Sequence, residues 1–539
     1  MKLCIIGGGF TGLLSAITIK KHSPQTHVTL IESPTIKKNL YFGESAPPQA
    51  LKWILDALKI PQEVQTKFIL DWLTQTKSTV KYNFIWQNFL SEQDDGWTSG
   101  MPEMPSWEAV LFPHHSGTRL NHKVARPSNT EYRLYDLWQE LLLKKQRSIN
   151  DFGPENNALY WYCKYHTMDQ FNNHFLNGSA SVHINSVETG EWLKKRFGNV
   201  IDNYISASVI KINSAGDQIE SLELDTGNTI TGDFYLDCSG FQRITAKHFD
   251  SEWNTPQAGR ILHNRTLVLN SGYTENIDRE MHPYTIGYGM KSGWMFGIPL
   301  LDRKAWGYVY DSNFQTTDGA LEEMLKHIDK KKHLGDPFEI KWDPGFYKES
   351  WSGNHAKVGL ACGFVDPFDA NMIAIHHRQN RLLIGWLNGQ DTAENSAKKY
   401  NNWINKTMNS VAQRVTFHQG LAPRNDSEYW QRNHQLAIDH DLASEAIDTL
   451  GAYEHCPAAE DAGDFVPFID NLYLTETLWY GVDLSKRCRQ SSEDVLTLAD
   501  DYFKSYSRLN KQRAQIAPTM RQWYKKFGID FDQFISFKN

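Results

Sequence analysis

The residues with chemistry to offer fall into three groups. The first is Gly7-Gly8-Gly9-Phe10-Thr11-Gly12, a G-x-G-x-x-G pattern. Gly7 permits a tight turn, Gly9 lets the backbone approach a pyrophosphate, and Gly12 lets a helix pack closely on a strand. Glu32 lies twenty residues past Gly12, where an acid can take a ribose hydroxyl. The second is a single amine, Lys81, set among Val80, Tyr82, Phe84 and Ile85. A lysine in such a run either reaches past its neighbours to water or is held in an apolar channel that tunes its ionisation. The third is Val358–Met372, VGLACGFVDPFDANM, an apolar stretch and a glycine turn that open into a short acidic loop. A loop feeding a helix N-terminus suits an anion or an electron-rich ring edge.

These groups need elements to position them. Lys2–Ile6 reads as a buried strand, Leu13–Lys21 as a helix, and Val28–Ile31 as a second buried strand that stops on Glu32. That context supports a dinucleotide, FAD or NAD(P), and specifies no reaction. Glu44, Ser45 and Ala46 belong either to a second cofactor loop or to the turn ahead of a helix from about Gln49 to Leu58. Ser78–Phe89, aromatic and β-branched, reads as one strand carrying Lys81. Residues 91–130 are irregular and rich in Gly, Pro and His. A loop of that kind is usually functional, and Phe112 and His114 are assigned from it to a substrate pocket. Tyr132–Lys145 reads as a helix. Ile205–Ile212, Ile219–Leu224 and Ile230–Asp237 read as a small antiparallel sheet leading back into the nucleotide sheet. Such a sheet is typical of FAD oxidases and hydroxylases, which selects FAD on grounds of fold analogy. One long helix is expected from Met372 to about Thr407. Beyond Leu421 the chain reads as polar helix, with Trp430, Trp479 and Trp523 as packing anchors.

Composition narrows the function. The chain has 539 residues, enough for a large core. Its net charge of −7 offers no broad attraction to nucleic acid or to an anionic membrane. No run of about twenty apolar residues marks a membrane span. The first apolar run is broken by glycines that the nucleotide site uses, so it does not read as a signal peptide. Cys4, Cys163, Cys238, Cys362, Cys456 and Cys488 are scattered without metal spacing, as in a reduced cytoplasmic protein. Eighteen Trp suit a pocket for a flat organic substrate.

Four segments resemble the flavin-dependent halogenases of the tryptophan-halogenase type. The Gly7-Gly8-Gly9 loop and Gly43-Glu44-Ser45 resemble that family's FAD segments. Asp237-Cys238-Ser239-Gly240-Phe241 resembles its DCSGF strand end. Gly293-Trp294-Met295-Phe296-Gly297-Ile298-Pro299 resembles its WxWxIP signature, with Phe296 in place of the second Trp. Gly359–Met372 resembles its GLASGFVEPLESTG loop. There Asp369 replaces a glutamate, and Ala370-Asn371-Met372 replaces Ser-Thr-Gly. The resemblance implies an α/β fold: a Rossmann-like, aromatic-hydroxylase-like FAD core with an added substrate-side sheet and a helical C-terminal part. Residues 1–420 would form the core, with substrate-facing segments at about 90–150 and 255–345, and residues 421–539 would pack on it.

The resemblance also implies roles. Lys81 and Asp369 take the catalytic positions. Gly7, Gly9, Phe10, Thr11, Gly12, Glu32, Glu44, Ser45, Ala46, Val209, Asp237, Leu360 and Ile373 make up the cofactor site. The amides of Asn371 and Met372 hold halide. Trp294 and Phe296 face substrate as a wall of rings that blocks direct oxygenation, beside Phe112 and His114, which are placed there by loop position alone. Reduced FAD and O2 oxidise halide to hypohalous acid, which travels to Lys81 and meets an electron-rich aromatic ring. Asp369 stabilises the cationic intermediate and helps remove its proton. FADH2 comes from a separate NAD(P)H-dependent flavin reductase, for want of a second nucleotide fingerprint. The chain acts alone or as a homo-oligomer on a small aromatic substrate. The rivals are a flavin monooxygenase and a non-catalytic FAD-binding protein.

Overall fold

The computed structural model describes residues 1–35, 43–46, 50–89, 141, 144, 162, 165–168, 181–256, 259–328, 333–445, 493–530 and 533–534. Phe112, His114, Trp479 and most of the helix expected at Tyr132–Lys145 lie outside these residues.

The nucleotide end is built on a six-stranded sheet. It contains β1 (Lys2–Ile6), β2 (His27–Glu32), β7 (Asn203–Ser206), β11 (Phe234–Asp237), β19 (Trp351–Ser352) and β20 (His355–Lys357), in the order β19-β20-β11-β1-β2-β7. All neighbours pair in parallel except β19 on β20. The continuous apolar runs of β1 and β2 fit strands covered on both faces. Helix α1 (Phe10–His22) follows the glycines, and Lys20, Lys21 and His22 in its last turn complement the negative helix end. A smaller antiparallel sheet of β8 (Val209–Ala215), β9 (Gln218–Leu224) and β10 (Thr229–Ile230) packs Ile212, Leu222 and Leu224 against Cys4, Ile6 and Ile31.

A second six-stranded sheet contains β5 (Asn83–Gln87), β13 (Arg265–Ser271), β14 (Tyr284–Met290), β15 (Gly293–Pro299), β16 (Lys304–Tyr310) and β17 (His333–Lys341). Its order is β17-β13-β16-β15-β14-β5, and β14 and β15 are buried along their whole lengths. Three short strands, β3 (Gly43–Ser45), β4 (Thr79–Lys81) and β6 (Ser181–Asn185), form an antiparallel sheet in the order β3-β6-β4. A last small sheet joins β12 (Trp253–Asn254), β18 (Gly345–Tyr347) and β21 (Gly363–Phe364). One hydrophobic cluster extends from Leu3 to Tyr524, so the C-terminal helices share the core of the nucleotide sheet.

Several expected elements are divided. Ser78–Phe89 is two strands in different sheets, β4 and β5. Between them the Tyr82 amide donates to Pro283 O at 2.7 Å, and the chain changes partners there. Both halves are buried, so hydropathy reads them as one run. Ile205–Ile212 breaks between β7 and β8, where the Ala207 amide donates to Glu32 O. Ile230–Asp237 likewise divides between β10 and β11. The helix expected from Met372 stops at Leu387, turns at Gly389 with φ +72°, and resumes at Ala393–Leu421. Thr392 caps the second helix through the Asn395 amide at 3.2 Å. In the C-terminal part, Trp430 and Trp523 are fully buried as expected, and Trp430 Nε1 donates to Met290 O at 2.8 Å. No helix among the described residues is long and apolar enough to cross a membrane.

Candidate active site

A cavity of about 420 Å³ runs from the glycine turn to the N-terminus of the Met372–Leu387 helix. At the near end Gly7 has φ +112°, and a Cβ there would lie 2.4 Å from Cys238 O. A Cβ on Gly12 would lie 1.8 Å from Gly7 O, so the helix packs against the glycine turn at the end of the strand. Gly9 lines the cavity, and a Cβ on it would meet nothing within 4 Å. It caps α1 without a side-chain hydrogen bond, which leaves first-turn amides for a phosphate. Phe10 and Thr11 line the same end. Glu32 also lines it, and its Oε2 accepts from Lys194 Nζ at 2.9 Å. Val209, Leu360, Ile373, Glu44 and Ser45 also line the cavity. Burial pushes the Glu44 carboxyl up, against a hydrogen bond from Ser186. An open glycine turn, an uncapped helix start and an acid at a strand end fit FAD.

Besides Gly12, two expected cofactor residues lie outside the cavity lining, Asp237 and Ala46. The Asp237 carboxylate lies outside the lining and accepts from Ser239 N, Ser239 Oγ, Thr245 N and Thr245 Oγ1 at 2.5–2.9 Å. It shapes the turn that carries Ser239 and Gly240 to the cavity. Ala46 is fully buried, and its carbonyl accepts from Lys81 Nζ and Ser181 Oγ, each at 2.9 Å.

The far end contains Ala370, Asn371 and Met372. Ala370 has φ +55°, strained for a residue with a side chain. Asn371 is 5% exposed; its Nδ2 donates to Phe368 O at 3.3 Å, and its Oδ1 has no hydrogen-bond partner among the described residues. The helix from Met372 has no side-chain cap. The backbone of Asp369 lies in this turn, and its side chain is outside the described atoms.

Lys81 is 2% exposed. Its Nζ donates to Ser45 Oγ at 2.6 Å and stands 5.1 Å from the centre of the Phe84 ring. Ser45 and Phe84 both line the cavity, so the amine sits directly behind its wall. Trp294 and Phe296 line the cavity too. The Trp294 ring packs edge-on to Trp86 and Phe368, and its buried Nε1 has no hydrogen-bond partner among the described residues. Trp86 stacks on both Phe84 and Phe368. The expected wall of rings is therefore part of a larger aromatic block reaching Phe89 and Trp430.

Sequence reasoning missed three polar groups. His376 lines the cavity and meets Ser15 Oγ at 2.8 Å; burial, then neighbouring His377, pushes it down to about 3. Asp366 lines the cavity and meets His263 Nδ1 at 2.7 Å, while His263 Nε2 meets the Tyr429 hydroxyl at 2.6 Å. His183, at the centre of the β3-β6-β4 sheet, joins Thr79 and Thr285. Their partners are far apart in sequence, so no local pattern marks them.

The tryptophan halogenase family model matches residues 2–488. This chain belongs to the tryptophan halogenase family. It is thereby placed among flavin-dependent oxidoreductases that halogenate aromatic substrates. Tryptophan 7-halogenase RebH of Lentzea aerocolonigenes is 24% identical over 476 residues, which cover 86% of this chain and 84% of that protein. Tryptophan 7-halogenase KtzQ of Kutzneria sp. is 24% identical over 455 residues, covering 80% and 78%. A solved tryptophan halogenase of Shewanella frigidimarina has a TM-score of 0.78 at 17% identity, covering 98% of each chain. Tryptophan 6-halogenase SttH of Streptomyces toxytricini has a TM-score of 0.76 at 19% identity, covering 97% of this chain and 99% of that one. These likenesses cover the halogenase fold from the nucleotide sheet through the C-terminal helices.

Proposed function

We propose that this chain is an FADH2- and O2-dependent halogenase that delivers an oxidised halogen past Lys81 to an electron-rich indole-like or phenol-like ring. The carrying observation is Lys81 itself: a buried amine whose Nζ rests on Ser45, a residue of the cofactor cavity. Bound FADH2, with O2, supplies the two-electron oxidation of halide to hypohalous acid. The remaining work falls to the protein. The uncapped amides near Asn371 and Met372 offer a halide a partial positive charge beside the cavity. Trp294 and Phe296 stand between flavin and substrate and block direct oxygenation of the ring. Lys81 presents the halogen, and Asp369 takes the proton released from the ring. Phe112 and His114 border the substrate, and FADH2 arrives from a separate flavin reductase.

The halide turn differs from the family pattern at Asn371 and Met372. Larger halides lose less hydration energy on entering a partly apolar site and are easier to oxidise. Bromide and iodide are therefore accepted alongside chloride. The test is a screen of indoles, phenols and anilines with FADH2, O2 and each halide. Halide-dependent product supports the reading. A hydroxylated product formed without halide supports the monooxygenase, and yellow protein with no turnover supports the non-catalytic alternative.

A further inference from the structure

The register of the β3-β6-β4 sheet gathers a polar cluster in the hydrophobic core. His183 on β6 pairs with Ser45 on β3 and with Thr79 on β4, and Ser181, two residues earlier, pairs with Lys81. Period-two alternation puts all five side chains on one face. Lys81 Nζ meets Ser45 Oγ at 2.6 Å, and Ser45 Oγ meets Thr285 Oγ1 at 2.9 Å. Thr285 Oγ1 meets His183 Nε2 at 2.9 Å, and His183 Nδ1 meets Thr79 Oγ1 at 3.0 Å. The chain ends at Pro299 O, which accepts from Thr79 Oγ1 at 2.6 Å.

With the His183 ring kept neutral by its burial, that last atom sets every direction before it. A carbonyl only accepts, so the Thr79 hydroxyl donates to Pro299 and accepts from His183 Nδ1–H. His183 is then the Nδ1–H tautomer, and its bare Nε2 accepts from the Thr285 hydroxyl. Thr285 accordingly accepts from the Ser45 hydroxyl, and Ser45 turns a lone pair to Lys81 Nζ. The Ala46 carbonyl does the same at 2.9 Å. Both contacts hand the nitrogen an acceptor, and hydrogen bonds to a charged form favour that form.

We propose that His183 is the positioning residue of Lys81: through Thr285 and Ser45 it fixes the direction of the hydrogen bonds and holds the side chain as an ammonium donor. The inference rests on Lys81 as the working amine and adds what governs its proton. Neutral His183 agrees with its surroundings, since burial, then Lys81, then His282 push its ionisation well down. Other ionisable groups on the elements packed around the cluster are Glu44, Tyr82, His282 and Tyr524.

The test reads ionisation instead of turnover. Full-length protein carrying 13C at lysine Cε is titrated by NMR, with the Lys81 signal assigned by its loss in Lys81→Met. His183→Leu removes the terminal acceptor, so the Thr285 hydroxyl is free to donate to Ser45 and the Ser45 hydroxyl to donate to the nitrogen. Thr285→Val cuts the same chain with little change of shape. Both variants should titrate at least one pH unit, tenfold in proton affinity, below the wild type. His183→Gln keeps an acceptor and a donor and should follow the wild type. The proposal is overturned if the Leu and Val variants titrate at or above the wild-type midpoint, or if Gln behaves as Leu. A shift of the expected sign in a protein that makes no halogenated product keeps the hydrogen-bond chain and removes the halogenase reading.

Discussion

At the scale of single residues, the proposed halide turn departs from the loop pattern that this sequence resembles, with Ala370-Asn371-Met372 in place of Ser-Thr-Gly. Ala370 holds a left-handed conformation. Asn371 is buried with no partner for its Oδ1 among the described residues, and Met372 lines the cavity with a polarisable thioether. If that thioether sets the softness of the site, Met372→Gly should lower the ratio of brominated to chlorinated product several-fold in mixed-halide competition read by mass spectrometry. An unchanged ratio would remove Met372 from halide choice. The glycine turn and the acid were legible because their chemistry is local. Gly7, Gly9, Gly12 and Glu32 lie within one strand-helix-strand unit, and each stands where its spacing puts it. Asp237 was legible as a strand end but not in its task, because its four donors come from the turn after it.

At the scale of elements, register decides what sequence leaves open. The apolar run Ser78–Phe89 carries no mark telling that its first half pairs with β6 and its second half with β14. That division turns Lys81 toward Ser45 and sends Phe84 and Trp86 into the aromatic block. His183 could not be found by pattern, since its significance depends on Ser45, Thr79 and Thr285 arriving from three other strands. Register also seats the ring wall. A Cβ on Gly307 of β16 would lie 2.1 Å from the far end of the Phe296 ring of β15, so the ring needs the bare backbone there. Gly307→Ala should destabilise the fold by about 1–3 kcal/mol through overpacking and displace the ring. The outcome is a lower Tm together with more halogenation of a freely diffusing phenolic scavenger. A lower Tm without added leakage would show that Phe296 packs but does not confine the oxidant.

At the scale of the whole molecule, the buried histidines give acid sensitivity. Burial is the largest cause in each case: it pushes His355 and His376 down to about 3, and His183 and His282 well down. A folded-state value below the unfolded one means that the unfolded chain binds protons first as pH falls. The stability these neutral rings contribute is full above the unfolded value of about 6.5 and declines as pH falls toward about 3. Denaturant unfolding should therefore give a lower midpoint at pH 5 than at pH 7.5. A higher midpoint at pH 5 would mean that these rings are charged in the fold. The central claim concerns one buried amine beside a flavin cavity, and the measurement that meets it most directly compares wild type with Lys81→Met. Both proteins receive FADH2, O2, halide and an accepted aromatic substrate, with flavin oxidation followed by absorbance and halogen in the product by mass spectrometry. The account predicts equal flavin oxidation and a loss of halogenated product on the order of 100-fold or more. Halogenated product at the wild-type rate from Lys81→Met would contradict it.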